Sequence, residues 1–313
     1  MGDAERFLRD AWTRRPHLHR SGSDFADLLS LDDVDRILST LSPRAPAFRL
    51  VRQGRPVPRE QYTRRGTLGG RTLDDLPDVG RIFALFDDGA TIVLQGLHRY
   101  WETVTRFCRD LELALTHPVQ ANAYLTPPVA SGLDVHHDTH DVFALQTYGR
   151  KQWVTYAPVV DQPLTSQPWS RSLGDPGTPT LDVELLPGDC LYVPRGARTV
   201  DAASLHLTVG IRSITWHDVV HQLLAATTDE LSFREALPAG FADDPDRFAP
   251  AVAAKLKELA GWVAERDPAE LAAGVVRRFW GGRSPVLDGQ LRQLLERVDR
   301  IGQDSVLVRR APA

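Results

Sequence analysis

The stretch that decides the fold is NAYLTPPVASGLDVHHDTHDVFALQTYGRKQWVTY, residues 122–156. It alternates short runs of strand character with proline and glycine, and it places His136 and Asp138 two residues apart. Side chains two apart on a strand lie on the same face. An imidazole and a carboxylate are two of the three ligands in the facial triad of non-haem Fe(II) oxygenases. The stretch therefore predicts a β-rich domain with a candidate metal site, the structural alternative being a buried His–Asp pair without a metal.

Composition sets the outer limits on function. The 313 residues suffice for about two domains, and the net charge of −4 offers no electrostatic basis for a nucleic-acid partner. Only two cysteines occur, Cys108 and Cys190, which argues against a disulfide framework and a Cys-rich zinc site. The N-terminus lacks an apolar signal region, and no apolar run is long enough to span a bilayer. We therefore expect a cytoplasmic protein with no membrane partner.

The chain changes character along its length. Helical spacing of apolar residues predicts helices over 5–15, 32–41 and 100–115. From 119 to 214, short strands punctuated by proline and glycine predict a sandwich or barrel. After Trp216 the pattern turns to amphipathic helices. We expect one domain at 1–216 and a helical domain at 217–313.

Two turn sequences predict β-hairpins. Asp87, Asp88 and Gly89 separate the apolar runs 83–86 and 91–95. The piece LLPGDCLYVPRG carries a Pro-Gly-Asp turn before an alternating Leu-Tyr-Val strand. Each turn is expected to join two strands that pair with each other.

Six pieces together resemble one family. They are FLRDAWTRRPHLHR, GATIVLQGLHRYW, NAYLTPP, HHDTHDVFALQTYGRKQW, LLPGDCLYVPRG and SLHLTVGI, in this order. They resemble the JmjC-type cupin oxygenases of the ribosomal-oxygenase group, which are Fe(II)- and 2-oxoglutarate-dependent protein hydroxylases. The resemblance implies a mixed α+β fold, a double-stranded β-helix (the cupin or JmjC jelly roll) with N-terminal helices and a C-terminal helical domain.

The resemblance also implies roles for single residues. His136 and Asp138 match the first two metal ligands, and Lys151 matches the basic residue that binds the distal carboxylate of 2-oxoglutarate. An ammonium group in a dry pocket suits that carboxylate, although Lys151 also fits a solvated strand end. Two further positions line the cosubstrate pocket in the group, although both also fit simple packing: Asn122 and Tyr124.

The third metal ligand departs from the family pattern. The group carries a histidine three residues after Pro-Arg-Gly, where this sequence has Thr199. Threonine is a poor Fe(II) ligand beside imidazole. His206 is the first substitute considered, followed by a two-residue site completed by water and by Asp201. Thr199 is equally consistent with a plain strand residue in a retired site.

Two neighbouring histidines are set aside on strand geometry. His137 points to the face opposite His136. His140 shares the face of His136, but on a straight strand it lies about 13 Å away, too far for both to hold one metal.

Three functions remain open at this stage. The first is an Fe(II)- and 2-oxoglutarate-dependent oxygenase that hydroxylates a protein or peptide, ribosomal proteins included, with Arg195 and Arg198 at the substrate mouth. The second is a catalytically degenerate cupin that binds a partner, with Thr199 as its signature. The third is an oxygenase of a small biosynthetic intermediate. A cupin with a different metal, or none, has no sequence feature in its favour.

The C-terminal helices have two interpretations. In the resembled group a helical segment after the barrel forms a homodimer, and a winged-helix domain follows it. Here the helical segment is present, and the sequence stops where the winged helix would begin. We expect a homodimer, the alternative being a helical cap on the barrel of the same chain.

Overall fold

The computed structural model of the protein describes residues 4–20, 22–128, 136–168, 170, 172, 174, 177–195, 198–201, 204–283 and 290–295. For residues 136, 198–201, 290 and 293 it describes the backbone alone. The chain divides into two compact units, Met1–Ser213 and Ile214–Ala313.

Helices of the first unit precede and flank its strands. Their bounds are α1 (Ala4–Asp10), α2 (Leu31–Arg36, continued by a π-helical turn at Ile37–Leu41), α3 (Val79–Asp87) and α4 (Glu102–Leu115). Helix α2 begins with a capping box, in which Ser30 and Asp33 bond each other's backbone N–H groups. The helices predicted over 5–15, 32–41 and 100–115 are thus present, the first ending earlier than expected.

The predicted hairpin around the Asp-Asp-Gly turn is wrong. Residues 83–86 belong to helix α3, whose N-cap Asp78 accepts a hydrogen bond from the backbone N–H of Arg81. Ile82 is buried on the packed face of this helix. A capped helix, and not a strand, therefore leads into the turn at Gly89.

The strands form two main sheets and a small separate one. The eight-stranded sheet has the order β1 (His17–Arg20), β12 (Asp189–Val193), β9 (Asp141–Gly149), β14 (Ser204–Ile211), β7 (Val119–Leu125), β6 (Thr91–Leu94), β2 (Phe48–Arg52), β3 (Arg55–Pro56). The four-stranded sheet has the order β11 (Pro179–Leu185), β10 (Lys151–Tyr156), β13 (Arg198–Asp201), β8 (His136–His137). The two-stranded sheet joins β4 (Thr63–Leu68) to β5 (Arg71–Pro77). All pairings are antiparallel.

From β7 to β14 the chain crosses between the two main sheets at every step except that from β10 to β11. Strand β9 is followed by β10 in the other sheet, and the same crossing separates β11 from β12 and β13 from β14. The second predicted hairpin is therefore wrong, because β11 pairs with β10 while β12 pairs with β1 and β9. A turn sequence shows where the chain reverses, not which strands pair. This alternation is the double-stranded β-helix that the sequence predicts.

The two faces of the large sheet have different contents. Its outer face packs with the N-terminal helices in the main core, which includes Phe7, Phe143 and Tyr192. Its inner face contributes Ala144, Leu191 and Val193 to a second cluster, together with Trp153 from the small sheet. The period-two alternation of the strands thus separates an outer core from a barrel interior.

The second unit is helical. Its described helices are α5 (Trp216–Ala225), α6 (Leu231–Arg234), α7 (Pro245–Ala264), α8 (Pro268–Gly281) and α9 (Gln290–Leu295). Helices α7 and α8 each begin with an aspartate N-cap followed by proline. Among the described helices of the whole chain, none combines the length and apolar character needed to cross a bilayer.

Candidate functional site

A lysine is buried where the two main sheets meet. Strand β10 begins at Lys151, and its alternate residues Lys151, Trp153 and Thr155 are buried while Gln152 is exposed. Lys151 is only 1% exposed, and its Nζ lies 3.1 Å from Nδ1 of His206 on β14. Strand β9 ends nearby, since Gly149 pairs with the first residue of β14. We call this the inner end of the barrel.

His206 is held as a neutral hydrogen-bond partner. Burial, and then the charge of Lys151, hold the pKa of His206 well below its usual range. Its ring stacks on Tyr124 at a centroid distance of 5.2 Å and meets the Trp153 ring edge-on at 5.6 Å. A neutral imidazole has one unprotonated nitrogen that accepts an N–H from Lys151. The lysine head is therefore fixed between aromatic walls.

Three buried polar atoms lie on residues around this lysine. They are Nε1 of Trp153, Oε1 of Gln146 and Oγ of Ser204, and within the described part of the chain none has a hydrogen-bond partner. Gln146 is the register partner of His206, and its amide nitrogen donates to the backbone oxygen of Tyr148. Buried polar atoms without partners are rare in native structures. A cation with additional donors nearby suits a carboxylate ligand.

The candidate metal residues lie at the opposite end of the strands. His136 on β8 is the register partner of Thr199 on β13, which is in turn the register partner of Thr155 on β10. Residues directly opposite on antiparallel strands occupy the same face. The structure thus puts Thr199 beside His136, the position that the family pattern gives to a third ligand. Asp138 follows β8 directly and is half-buried.

A complete ligand set is not found among the described side chains. They contain no group of three His, Cys, Asp or Glu residues that could hold a metal ion, and the side chain of His136 lies outside that set. The donors by type are an imidazole, a carboxylate and, at the third position, a hydroxyl. Two residues therefore fit Fe(II), and Thr199 does not supply the second imidazole of a 2-His-1-carboxylate set.

The straight strand assumed for His140 is wrong. Strand β8 ends at His137, and the chain bends at Thr139 and His140 before β9 begins. The distance argument that set His140 aside no longer holds. His137 is buried, and its Nε2 lies 3.4 Å from the backbone oxygen of Gln167.

The other predicted site residues, Asn122, Arg195 and Arg198, differ in their hydrogen-bond partners and in how far the structure describes them. Asn122 accepts a hydrogen bond from the backbone N–H of Gly96, so its oxygen anchors a loop. Arg195 donates through Nη2 to Gln162, and its Nε has no partner among the described residues. Arg198 pairs in register with His137, and its side chain lies outside the described part.

The sequence also singled out Asp201 as a substitute metal ligand and the two cysteines as buried residues. Asp201 pairs in register with Trp153, two residues further inward than Thr199. The two cysteines are buried, as expected, and burial raises the pKa of both Cys108 and Cys190 to about 12. Nucleophilic chemistry at these thiols is thereby disfavoured.

Sequence reasoning missed part of this site. It placed Trp153 in the core, which is correct, but did not connect its indole N–H with the lysine. Gln146 and Ser204 were not singled out at all. The available signal was their alternation with the apolar residues of β9 and β14, which puts both on the face that carries His206.

One known protein family matches the segment that contains most of the barrel strands. Residues 95–219 match the family profile of the JmjC domain. This segment contains His136, Asp138, Lys151 and His206. Residues 95–219 are therefore similar to a JmjC domain, in agreement with the order of the sequence motifs.

Individual proteins of known name are also similar to this chain. The chain is similar to ribosomal oxygenase 1 of Homo sapiens, with 32% identity over 76% of this chain and 38% of that protein. It is 28% identical to the bifunctional lysine-specific demethylase and histidyl-hydroxylase NO66 of Drosophila pseudoobscura pseudoobscura, over 74% of this chain and 25% of the relative. The chain thus spans well under half the length of these relatives.

Solved structures share the fold. The X-ray structure of Escherichia coli YcfD matches with a TM-score of 0.58 and 19% identity, covering 88% of this chain and 70% of that one. A YcfD structure in complex with cobalt and 2-oxoglutarate matches with a TM-score of 0.55, 19% identity and the same coverage. At this identity the likeness concerns the fold.

Proposed function

We propose that the protein is an Fe(II)- and 2-oxoglutarate-dependent oxygenase that hydroxylates a protein or peptide side chain, with ribosomal proteins as the first substrates to test. The single observation that carries this is the buried Lys151 at the inner end of a JmjC-like barrel, among polar atoms that lack partners within the described residues. The similarity to ribosomal oxygenase 1 supports the substrate class.

The inner end provides a binding site for the cosubstrate. In this proposal Lys151 binds the distal carboxylate of 2-oxoglutarate, and His206 holds the ammonium group in place. The N–H of Trp153 and the hydroxyl of Ser204 supply further donors. The apolar walls of Ala144 and Leu191 keep water out, and a charge-assisted hydrogen bond is stronger where water is excluded.

The other end of the strands would hold the metal. His136 and Asp138 are its proposed ligands in this chain, next to Thr199. When bound, Fe(II) with 2-oxoglutarate supplies the oxidising power for hydroxylation of a C–H bond. Arg195 and Arg198 lie just before and within β13 and would contact a substrate at this end.

Anaerobic titration with Fe(II) and 2-oxoglutarate tests the proposal. The natural chain should develop the visible charge-transfer band of the chelate and lose it in Asp138→Ala. In Lys151→Met the 2-oxoglutarate concentration at half-saturation should rise by about 100-fold, since truncating one partner of a buried charged pair costs about 2–5 kcal/mol. Arg150→Met, one residue away and exposed, is the matched control and should leave the titration unchanged.

Thr199 favours one competing function, a cupin that binds a partner without turnover. A band that is absent from the natural chain and present in Thr199→His would establish this alternative and reject the oxygenase. A band in the natural chain that survives in Lys151→Met with unchanged half-saturation would reject the assigned carboxylate site.

The helical unit has apolar surface suited to a second copy of the chain, and we infer a homodimer. Trp216 is 84% exposed and Leu231 is 74% exposed. A groove of about 480 Å³ lies between α6 and α7, lined by apolar residues that include Phe233, Leu237 and Leu256. Contiguous apolar surface of this kind marks interaction sites.

A further inference from the structure

We propose that His140 is the third metal ligand of this site, taking the place of the histidine that the family pattern has where this chain has Thr199. The proposal rests on the proposed function, because it concerns the same metal. Its ligand set is His136, Asp138 and His140, two imidazoles and one carboxylate, which is the composition of the facial triad.

The backbone allows His140 to leave the strand that carries His136. Strand β8 ends at His137, and residues 139 and 140 form a bend. A bend brings residues four apart closer than the roughly 13 Å of a straight strand. The separation that excluded His140 on sequence grounds therefore does not apply.

A glycine on β14 makes room for the imidazole. A Cβ atom at Gly210 would lie 2.6 Å from Cδ2 and 2.7 Å from Nε2 of His140. Contacts this short require one of the two groups to shift, so the ring occupies the space that a Cβ atom at this position would fill. Gly210 belongs to the set of alternate β14 residues that contains His206, so its open side faces the barrel interior.

Residue counts from the inner end relate the position of the ring to that of His136. Strands β10 and β14 both begin at the inner end, where Lys151 contacts His206. Four residues further along β10 is Thr155, whose row includes Thr199 and His136. Four residues further along β14 is Gly210 with the His140 imidazole. Gly210 and Thr155 are thus each four residues from the Lys151–His206 contact, which supports a similar level for the His140 ring and His136.

The side chains of Asp138 and His140 are available to bind a metal. Among the residues that the structure describes, the side chains of Asp138 and His140 form neither hydrogen bonds nor ion pairs, and both are half-buried. His206 is instead engaged with Lys151 at the inner end. Asp201 pairs in register with Trp153, also inward of Thr199. Of the residues considered as substitutes, His140 is the one that the residue counts place near the level of His136.

Binding of Co(II) alone, followed by its visible absorption and by calorimetry, tests this assignment without any turnover. His140→Ala should weaken Co(II) binding by at least about 100-fold, and Gly210→Ala by about 10-fold, because its new methyl group displaces the ring without removing a ligand. The displaced atoms are at the end of a side chain, so Gly210→Ala should fold. His221→Ala, an exposed histidine on α5, is the control and should bind like the natural chain.

The outcomes separate this inference from the proposed function. Restoration of Co(II) binding by Thr199→His in the His140→Ala background would show that the two positions serve the same metal. Natural-chain affinity in both His140→Ala and Gly210→Ala would overturn the inference and leave the oxygenase standing. A natural chain that binds no Co(II), while Thr199→His does, would overturn both.

Discussion

The phenol of Tyr192 donates a hydrogen bond of 2.7 Å to the carboxylate of Asp141, and both residues are buried. The same carboxylate accepts from the hydroxyl of Ser213 at 2.5 Å and from the backbone N–H of Arg195 at 3.3 Å. The phenol oxygen accepts from the backbone N–H of Thr13 at 2.8 Å. One buried carboxylate thus ties the N-terminal segment to the end of β14 and to the loop before Thr199.

Tyr192→Phe should lower the free energy of unfolding by about 1–3 kcal/mol, because it removes one hydrogen bond to a buried carboxylate and leaves the Thr13 N–H without its partner. Urea unfolding followed by circular dichroism measures the change. Tyr148→Phe removes a hydroxyl from an exposed tyrosine and should stay within about 0.5 kcal/mol of the natural chain. Equal stabilities for the two variants would show that the network is not stabilising.

Trp153→Phe should separate cosubstrate binding from stability. The indole N–H is a buried donor with no acceptor in the described part of the chain, so its loss removes a desolvation penalty. Phenylalanine keeps an aromatic wall beside His206 with a small loss of volume, and the unfolding midpoint should change little. The affinity for 2-oxoglutarate should fall by about 10-fold, the value of one hydrogen bond to a charged group. An unchanged affinity would remove Trp153 from the cosubstrate site.

The order of motifs predicts the two-sheet barrel, and alternation along 151–156 predicts the inward face of β10. Pairing of strands is less accessible, because a Pro-Gly-Asp turn looks the same whether the strands beside it share a sheet or enter two different sheets. For residues 83–86 the Asp-Asp-Gly turn outweighed the helix signals in Asp78 and Ile82. Local patterns thus indicated element type correctly except where a turn motif was given too much weight.

The sequence predicts some residues of the candidate site and not others. Lys151, His136 and Asp138 are accessible because they lie within one short motif. The place of His140 is not, because it depends on where β8 ends and on a glycine 70 positions later in the chain, Gly210. Sequence spacing gives distances only along an unbroken strand. Which side chains meet in a site formed by two sheets depends on how the sheets pack together, and sequence spacing does not give that packing.

Acidification should destabilise the first unit through histidines whose pKa values are lowered in the folded chain. Burial, then neighbouring charges such as Arg109, lower the pKa of His98, and its Nδ1 accepts the backbone N–H of Ala121 at 3.1 Å. Below the unfolded-state pKa near 6.5, the unfolded chain binds a proton that the folded chain does not, so stability falls as pH falls. Above that pH both states are neutral and stability is constant.

Unfolding free energies between pH 7.5 and 5.5 measure this effect. The slope contributed by one such histidine is at most about 1.4 kcal/mol per pH unit. His98→Asn keeps an acceptor and removes the titrating group, so its profile should be flatter. His221→Asn, on an exposed position, should keep the natural slope. A His98→Asn profile that parallels the natural one would assign the slope to other histidines with lowered pKa values: His17, His117 and His206.

Leu256→Glu should dissociate the proposed homodimer. Leu256 lines the groove between α6 and α7 and is 60% exposed in the single chain. Covering apolar surface stabilises an interface by about 25 cal/mol per Å², whereas an unpaired carboxylate buried there destabilises it. Light scattering should give twice the chain mass for the natural protein and the chain mass for the variant. Leu68→Glu, on a leucine of β4 in the first unit that is 70% exposed, should remain dimeric.

A natural chain that is monomeric at about 50 μM, far above the dissociation constants of stable dimers, would contradict the homodimer. A Leu256→Glu variant that keeps the dimer mass would place the interface elsewhere on the chain.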